Sequence, residues 1–174
     1  MGSIPAGGAH YIAMPNSHLE ILIGQILTER KLTLVTAESC TGGLISHRLT
    51  NVPGSSGYFI GGIVAYAYEA KEQLLGVHHA TLYDHGAVSK ETVVEMARGA
   101  RRVFGADIAV AVTGIAGPGG GLPNKPVGLA WIGLSAREGE TAQHFIWNKD
   151  REGNKEESAE AALRMVWEYL KRDQ

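Results

Sequence analysis

A three-layer α/β/α sandwich on a mixed, mainly parallel sheet is the fold class the sequence predicts, and three observations predict it. Strand-like and helix-periodic segments alternate from residue 17 to residue 104, the order expected of crossover units on a parallel sheet. From 107 to 147 three strand-like runs follow one another without a helical segment, as antiparallel neighbours do. The 174 residues suffice for one hydrophobic core and not comfortably for two. A purely doubly wound sheet is the alternative topology.

Residues 1–16, with Gly2, Ser3, Pro5, Gly7, Gly8 and Pro15, show no period and read as a flexible leader ahead of a domain spanning 17–174. The capping box Ser17-His18-Leu19-Glu20 opens a helix whose Leu19, Leu22, Ile23, Ile26 and Leu27 share a face. Leu32 to Ala37 is a short strand. The turn from Glu38 to Gly43 then leads into a helical segment through Leu49. Pro53 to Gly57 is a loop by composition, and the apolar run Tyr58 to Tyr66 reads as a buried strand. A short helix runs from Glu69 to Gly76. The segment Ser89 to Phe104 carries Val93, Met96, Ala97, Ala100, Val103 and Phe104 at helical spacing behind a Ser89 N-cap. Strands are expected at Asp107–Val112, Val127–Leu134 and Ala142–Trp147, and a last helix at Glu156–Leu170, with Lys171 and Arg172 at its negative end.

Composition narrows the function classes. An apolar fraction of 44%, a charged fraction of 20% and three tryptophans describe an ordinary globular protein. A net charge of −2 provides no basic field for nucleic acid. No apolar stretch approaches the roughly twenty residues of a membrane helix, and the first thirty residues do not form a secretory signal. The single cysteine, Cys40, forms no internal disulfide, so a cytoplasmic location is expected.

Four segments can carry chemistry. In the first, Ser39 and Thr41 stand at a strand-to-helix turn, where free backbone N–H groups and the helix dipole favour negative charge, and Gly42 and Gly43 admit close approach of a ligand. Such hydroxyls equally serve as plain helix caps. The second, Thr113-Gly114-Ile115-Ala116-Gly117-Pro118-Gly119-Gly120-Gly121, follows a strand at the sheet edge where α/β proteins bind ligands. It fits neither a G-x-G-x-x-G fingerprint nor a P-loop, and is either a ligand-hugging backbone or a simple connection. In the third, Tyr66 to Lys71, a lysine early in a helix is most often a solvated surface residue. The fourth, His78, His79, Asp84 and His85, lacks the i, i+4 spacing of a zinc protease, so no metal is expected.

Taken together and in order, these segments resemble the CinA carboxy-terminal domain family, the nicotinamide-nucleotide amidases. The likeness rests on Ala37-Glu38-Ser39-Cys40-Thr41-Gly42-Gly43, Val52-Pro53-Gly54-Ser55-Ser56, Tyr66 with Ala70-Lys71 and Leu75-Gly76-Val77, Thr113 to Gly120, and Lys125-Pro126-Val127-Gly128. It covers about residues 17 to 171. The resemblance implies hydrolysis of nicotinamide mononucleotide to nicotinic acid mononucleotide and ammonia, without metal or organic cofactor. It implies Ser39 as nucleophile, Lys71 as its partner, Tyr66 as an assisting group, and a late arginine, for which Arg151 fits, with Lys155 as a second basic residue. The family commonly has serine and asparagine where Ala67 and Tyr68 stand here. Longer relatives carry an amino-terminal domain, where only the short leader is expected in this chain. A homo-oligomer is compatible with the family.

On this reading Thr41, Gly42, Gly43, Thr113, Gly114, Ala116, Gly117 and Arg151 bind the substrate, the two glycine turns dividing oxyanion and phosphate between them. An ordinary lysine, with a pKa near 10.4, would be only about 0.1% neutral at pH 7.4. Lys71 is therefore expected to be buried, within hydrogen-bond reach of Ser39, with Tyr66 beside it. Two rival readings remain at this stage: a nucleotide-binding or sensing module without chemistry, and a hydrolase that uses Cys40 with a histidine.

Overall fold

Residues 18–172 are described by the structure, a computed structural model. The leader at 1–16 and the expected cap Ser17 lie outside the described residues. The elements are α1 (Leu19–Arg30), β1 (Leu34–Glu38), α2 (Leu44–Thr50), a 3-10 turn (Ser55–Gly57), β2 (Phe59–Val64), α3 (Tyr68–Leu75), α4 (His79–His85), α5 (Lys90–Phe104), β3 (Ile108–Gly114), β4 (Leu129–Ala136), β5 (Gly139–Ile146) and α6 (Arg151–Lys171).

One five-stranded sheet has the order β2-β1-β3-β4-β5. β1 pairs in parallel with both β2 and β3, whereas β3–β4 and β4–β5 are antiparallel, so the sheet is mixed with two pairings of each kind. Helices cover both faces. Leu19, Ile23 and Leu27 of α1, with Ile45 of α2 and Leu163 and Val166 of α6, pack on Leu34, Ile108, Val110 and Ile132. Across the sheet, Val93, Met96, Ala97 and Ala100 of α5, with Leu75 of α3 and Leu82 of α4, pack on Val35, Ala37, Ala109 and Ala111. Strand alternation thus assigns successive residues of β1 to opposite layers.

Local signals explain most helix limits. Ser89 caps α5 by accepting from Thr92 N at 3.2 Å, and Gly105, at φ 61°, ends it. The glycine at 99 is required by contact: a Cβ there would stand 1.8 Å from the Leu75 carbonyl oxygen, so it lets α5 lie directly against α3.

Several expectations are corrected. The N-cap of α1 is His18, which makes no side-chain cap bond, and Glu20 pairs with Arg48 at 2.8 Å. Leu22 is 37% exposed, because the buried stripe of α1 runs Leu19-Ile23-Leu27 and turns it outward. Val103 likewise faces out. β2 is an edge strand rather than a buried one, and its burial alternates: Phe59 and Ile63 are half-buried, whereas Ile60 and Val64, on the other face, are exposed. His79 to His85, for which the sequence predicts no element, is helical. α6 begins five residues earlier than expected, capped by Asp150, whose carboxylate accepts from Gly153 N at 2.8 Å.

Among the described residues no helix is long and apolar enough to cross a membrane.

Candidate active site

The carboxyl ends of the three parallel strands β2, β1 and β3 converge, the place where open α/β sheets bind ligands. At the end of β1 the chain alternation continues: Glu38 points into the α2 layer and Ser39 toward α3. Glu38 is fully buried, and its carboxylate accepts from Thr41 Oγ1 at 2.8 Å, Ile45 N at 2.9 Å, Ser46 N at 3.1 Å and Ser46 Oγ at 2.7 Å. These bonds tie the amino end of α2 to β1 and hold the intervening turn. Ser39 N donates to Val112 O at 2.9 Å, locking the other side of the turn to β3. The motif signalled Glu38, but its anchoring role escapes sequence reasoning because it depends on which side of the strand it takes.

Removing the Glu38 carboxylate strips the buried Ile45 N–H, the half-buried Ser46 N–H and the buried Thr41 hydroxyl of their acceptor. Glu38→Ala is expected to destabilise the fold by about 2–4 kcal/mol, read as a lowered denaturant midpoint at unchanged m-value. An unchanged midpoint would show that solvent or a neighbour replaces the carboxylate.

Lys71, in α3, reaches across to the turn. It is 1% exposed, and its Nζ lies 2.9 Å from Ser39 Oγ, 2.9 Å from Ala65 O and 3.1 Å from Tyr66 O. As an ammonium it donates to all three. As a neutral amine it has two N–H donors for the two carbonyls, which leaves its lone pair directed at the Ser39 hydroxyl. Burial draws Lys71 down from 10.5 to about 8.

Cys40 differs from its neighbour. It packs into the core under α6, close to Gly114, and burial pushes its thiol up to about 12. Cys40 also borders the cleft, but a thiol held protonated is a poor nucleophile and no histidine is among the lining residues to activate it, so Ser39 is the better placed of the two.

The cleft in front of Ser39 has a volume of about 260 Å³, near the lower end of small-molecule sites. Its floor is Ser39, Lys71 and Thr113; the loop from Gly114 to Gly120 forms one wall, and Ala87 with Val88 the other. Thr113 Oγ1 donates to Ala87 O at 2.7 Å, so floor and far wall are tied together. Two side chains from the first turn of α6 hold the glycine loop: Asn154, buried, donates to Ala116 O at 3.0 Å, and Arg151 donates to Gly117 O at 2.6 Å. Gly117 itself has φ 88°, and a Cβ there would meet Val127 Cγ1 at 2.5 Å.

The expected residues therefore divide. Ser39, Lys71, Tyr66, Thr113, Gly114, Ala116, Gly117 and Arg151 line one cleft. Thr41, Gly42 and Gly43 do not: the Thr41 hydroxyl is turned inward to Glu38, a Cβ on Gly42 would stand 3.8 Å from Lys155 Nζ, and Gly43 is the N-cap of α2, where a Cβ would face Val64. The Tyr66 side chain, expected beside Lys71, is 61% exposed and its hydroxyl accepts from Arg151 at 3.0 Å; only its carbonyl touches Lys71. Sequence reasoning missed Asn154, Ala87 and Val88. For Asn154 a signal existed in the Asp150-Arg151 helix start three residues before it; for the other two there was none. His78, His79 and His85 pair separately with Glu95, Glu72 and Glu91, and among the described residues no group of three potential metal ligands converges.

Residues 16–170 match the model of the CinA C-terminal domain. The chain belongs to that family. It is 46% identical over 164 residues to a putative competence-damage inducible protein of Moorella thermoacetica, covering 94% of this chain and 40% of that protein. To a CinA-like protein of Chloroherpeton thalassium it is 52% identical over 167 residues, with the same two coverages. The chain thus spans about two fifths of the length of the curated relatives it matches. The crystal structure of competence damage-inducible protein A from Klebsiella pneumoniae superposes with a TM-score of 0.87 at 35% identity, covering 90% of this chain and 98% of that one. A competence/damage inducible protein from Agrobacterium tumefaciens superposes with a TM-score of 0.82 at 40% identity, covering 92% and 100%. Like these CinA structures, the chain is an α/β fold on a mixed sheet.

Proposed function

We propose that this CinA domain hydrolyses the carboxamide of nicotinamide mononucleotide to the carboxylate, releasing ammonia, with Ser39 as nucleophile and Lys71 as general base. The observation that carries the reading is the buried Lys71 Nζ, 2.9 Å from Ser39 Oγ and aimed at it by two carbonyls. A hydroxyl with an adjacent base whose pKa is depressed is the pairing that amide acyl transfer requires. The identity of the amide rests on the family resemblance, and nucleotide binding on the basic Arg151 at the mouth of the cleft.

In the first half-reaction neutral Lys71 takes the Ser39 proton as Oγ attacks the carboxamide carbon. The lysine then returns that proton to the departing nitrogen, which leaves as ammonia. In the second half-reaction water attacks the acyl-serine ester, Lys71 removes its proton, and that proton returns to Oγ as the acid is released. The developing oxyanion needs N–H donors. Ser39 N is committed to Val112 O, so the donors come from Cys40 or from the Ala116–Gly120 loop that faces the cleft. Arg151, which joins Gly117 O to the Tyr66 hydroxyl across the cleft mouth, sits where a ligand phosphate can draw on the remaining guanidinium protons.

The test is incubation of the purified chain with nicotinamide mononucleotide, following ammonia and the nucleotide acid in parallel. Stoichiometric appearance of both is expected. Binding of the nucleotide without any ammonia release would leave a sensing module and end the amidase reading.

A further inference from the structure

Lys71 is a fully buried cation whose partners are a hydroxyl and two carbonyl oxygens; among the described residues no carboxylate pairs with it. Glu38, the nearest acid in sequence to Ser39, is turned to the opposite layer and saturated by Thr41, Ile45 and Ser46. The rest of the cleft repeats the pattern. Its charged or ionisable lining groups are Lys71, Arg151, Tyr66 and the protonated Cys40, with no Asp or Glu among them. Buried charge without a counter-charge is costly, and a ligand that brings the missing anion is bound more tightly for that reason.

We infer that the reactive end of the cleft is a carboxylate-binding site, so that the acid produced by amide hydrolysis binds more tightly than the amide and holds back its own formation. The inference rests on the proposed amidase reading for the identity of the acid and the amide. Substrate and product differ by one group: the –CO–NH2 of the amide has become –CO2− after water has replaced ammonia. In the amide complex a neutral NH2 faces an ammonium whose protons are already given to Ser39 Oγ, Ala65 O and Tyr66 O. In the acid complex a carboxylate oxygen takes the place of that NH2 and supplies the counter-charge the fold withholds from Lys71. Because Lys71 has been drawn only to about 8, most molecules at neutral pH carry the ammonium and are in the state that favours the acid. The competent form for attack on the amide is the minority form.

The experiment measures binding of nicotinamide mononucleotide and of nicotinic acid mononucleotide by calorimetry at pH 7, in Ser39→Ala and in the double variant Ser39→Ala/Lys71→Met. The acid is expected to bind Ser39→Ala about tenfold more tightly than the amide, and this preference is expected to fall to near onefold in the double variant. In wild type, acid added at zero time should inhibit ammonia release competitively, with an inhibition constant below the KM for the amide; this arm needs no variant to fold. Equal or weaker binding of the acid, a preference that survives loss of Lys71, or failure of both compounds to bind would each overturn the inference. Ammonia release by wild type with no preference for the acid would sink this inference alone, whereas a preference for the acid without ammonia release would sink the amidase reading and leave the carboxylate site standing.

Discussion

Ser39→Ala is expected to lower hydrolysis of nicotinamide mononucleotide by roughly four orders of magnitude or more, the scale of loss when a nucleophile acting in one unit with its base is removed. Cys40→Ala is expected to leave most of the activity. The two residues are adjacent, yet they end on opposite sides of the sheet: Ser39 bonds to Lys71, and the Cys40 thiol is packed under α6 and pushed up to about 12. Replacing Cys40 removes a small apolar contact and disturbs packing at Gly114, so a modest loss of stability should accompany retained turnover. The measurement is ammonia release by both variants, with the far-ultraviolet circular dichroism spectrum of each as a check on folding. Loss in Cys40→Ala with activity in Ser39→Ala would reverse the assignment.

Lys71 should govern two pH dependences at once. A base must be neutral to accept the Ser39 proton, so kcat/KM is expected to rise about tenfold per pH unit below about 8 and to level off above it. Lys71→Arg should be inactive across the range, because a guanidinium offers no lone pair at any such pH. Stability should follow the same group. The folded pKa, about 8, lies below the ordinary 10.5, so between these values the unfolded chain holds more protons and stability rises with pH. Below about pH 8 the whole penalty of burying the ammonium is present, about 3 kcal/mol from the gap between the two values. Lys71→Met should therefore be inactive and, relative to wild type, should gain most stability at neutral pH and least above pH 10. Denaturant midpoints of both proteins between pH 7 and 10.5 report this difference. A constant offset between them would show that Lys71 titrates at its ordinary value, and the general-base role would go with it.

These expectations, if met, describe a site that spends fold stability on a reactive base. Ala65 O and Tyr66 O favour the lysine in either protonation state, and burial alone sets the direction of its pKa. The supporting contacts come from the helices around the cleft. Glu38 secures the turn that carries Ser39, and Asn154 with Arg151 secures the glycine loop, so two walls of the cleft depend on helices α2 and α6 rather than on each other.

Read alone, the sequence was sufficient wherever the deciding interactions are local. The helical period and Ser89 cap of α5, the Gly76 stop after α3 and the strand character of β1, β3, β4 and β5 all follow from neighbours within a few residues, and the structure places them within a few positions of expectation. The motif order was likewise sufficient for the family. What depended on packing was settled only in three dimensions. An apolar run cannot tell a central strand from an edge, and only the sheet order puts β2 at the edge. The turn after β1 offers Ser39, Cys40 and Thr41 alike, and only the pleat of the strand and the layers above and below it send Ser39 to the lysine, Cys40 to the core and Thr41 to Glu38. Tyr66 is expected beside Lys71; the path of the chain into α3 brings its carbonyl to Lys71 and its hydroxyl to Arg151. Lys71 is the clearest case, because a lysine early in a helix is ordinarily solvated. Its burial, and with it a pKa low enough for chemistry, arises from the convergence of β1, β2 and α3, which no local pattern encodes.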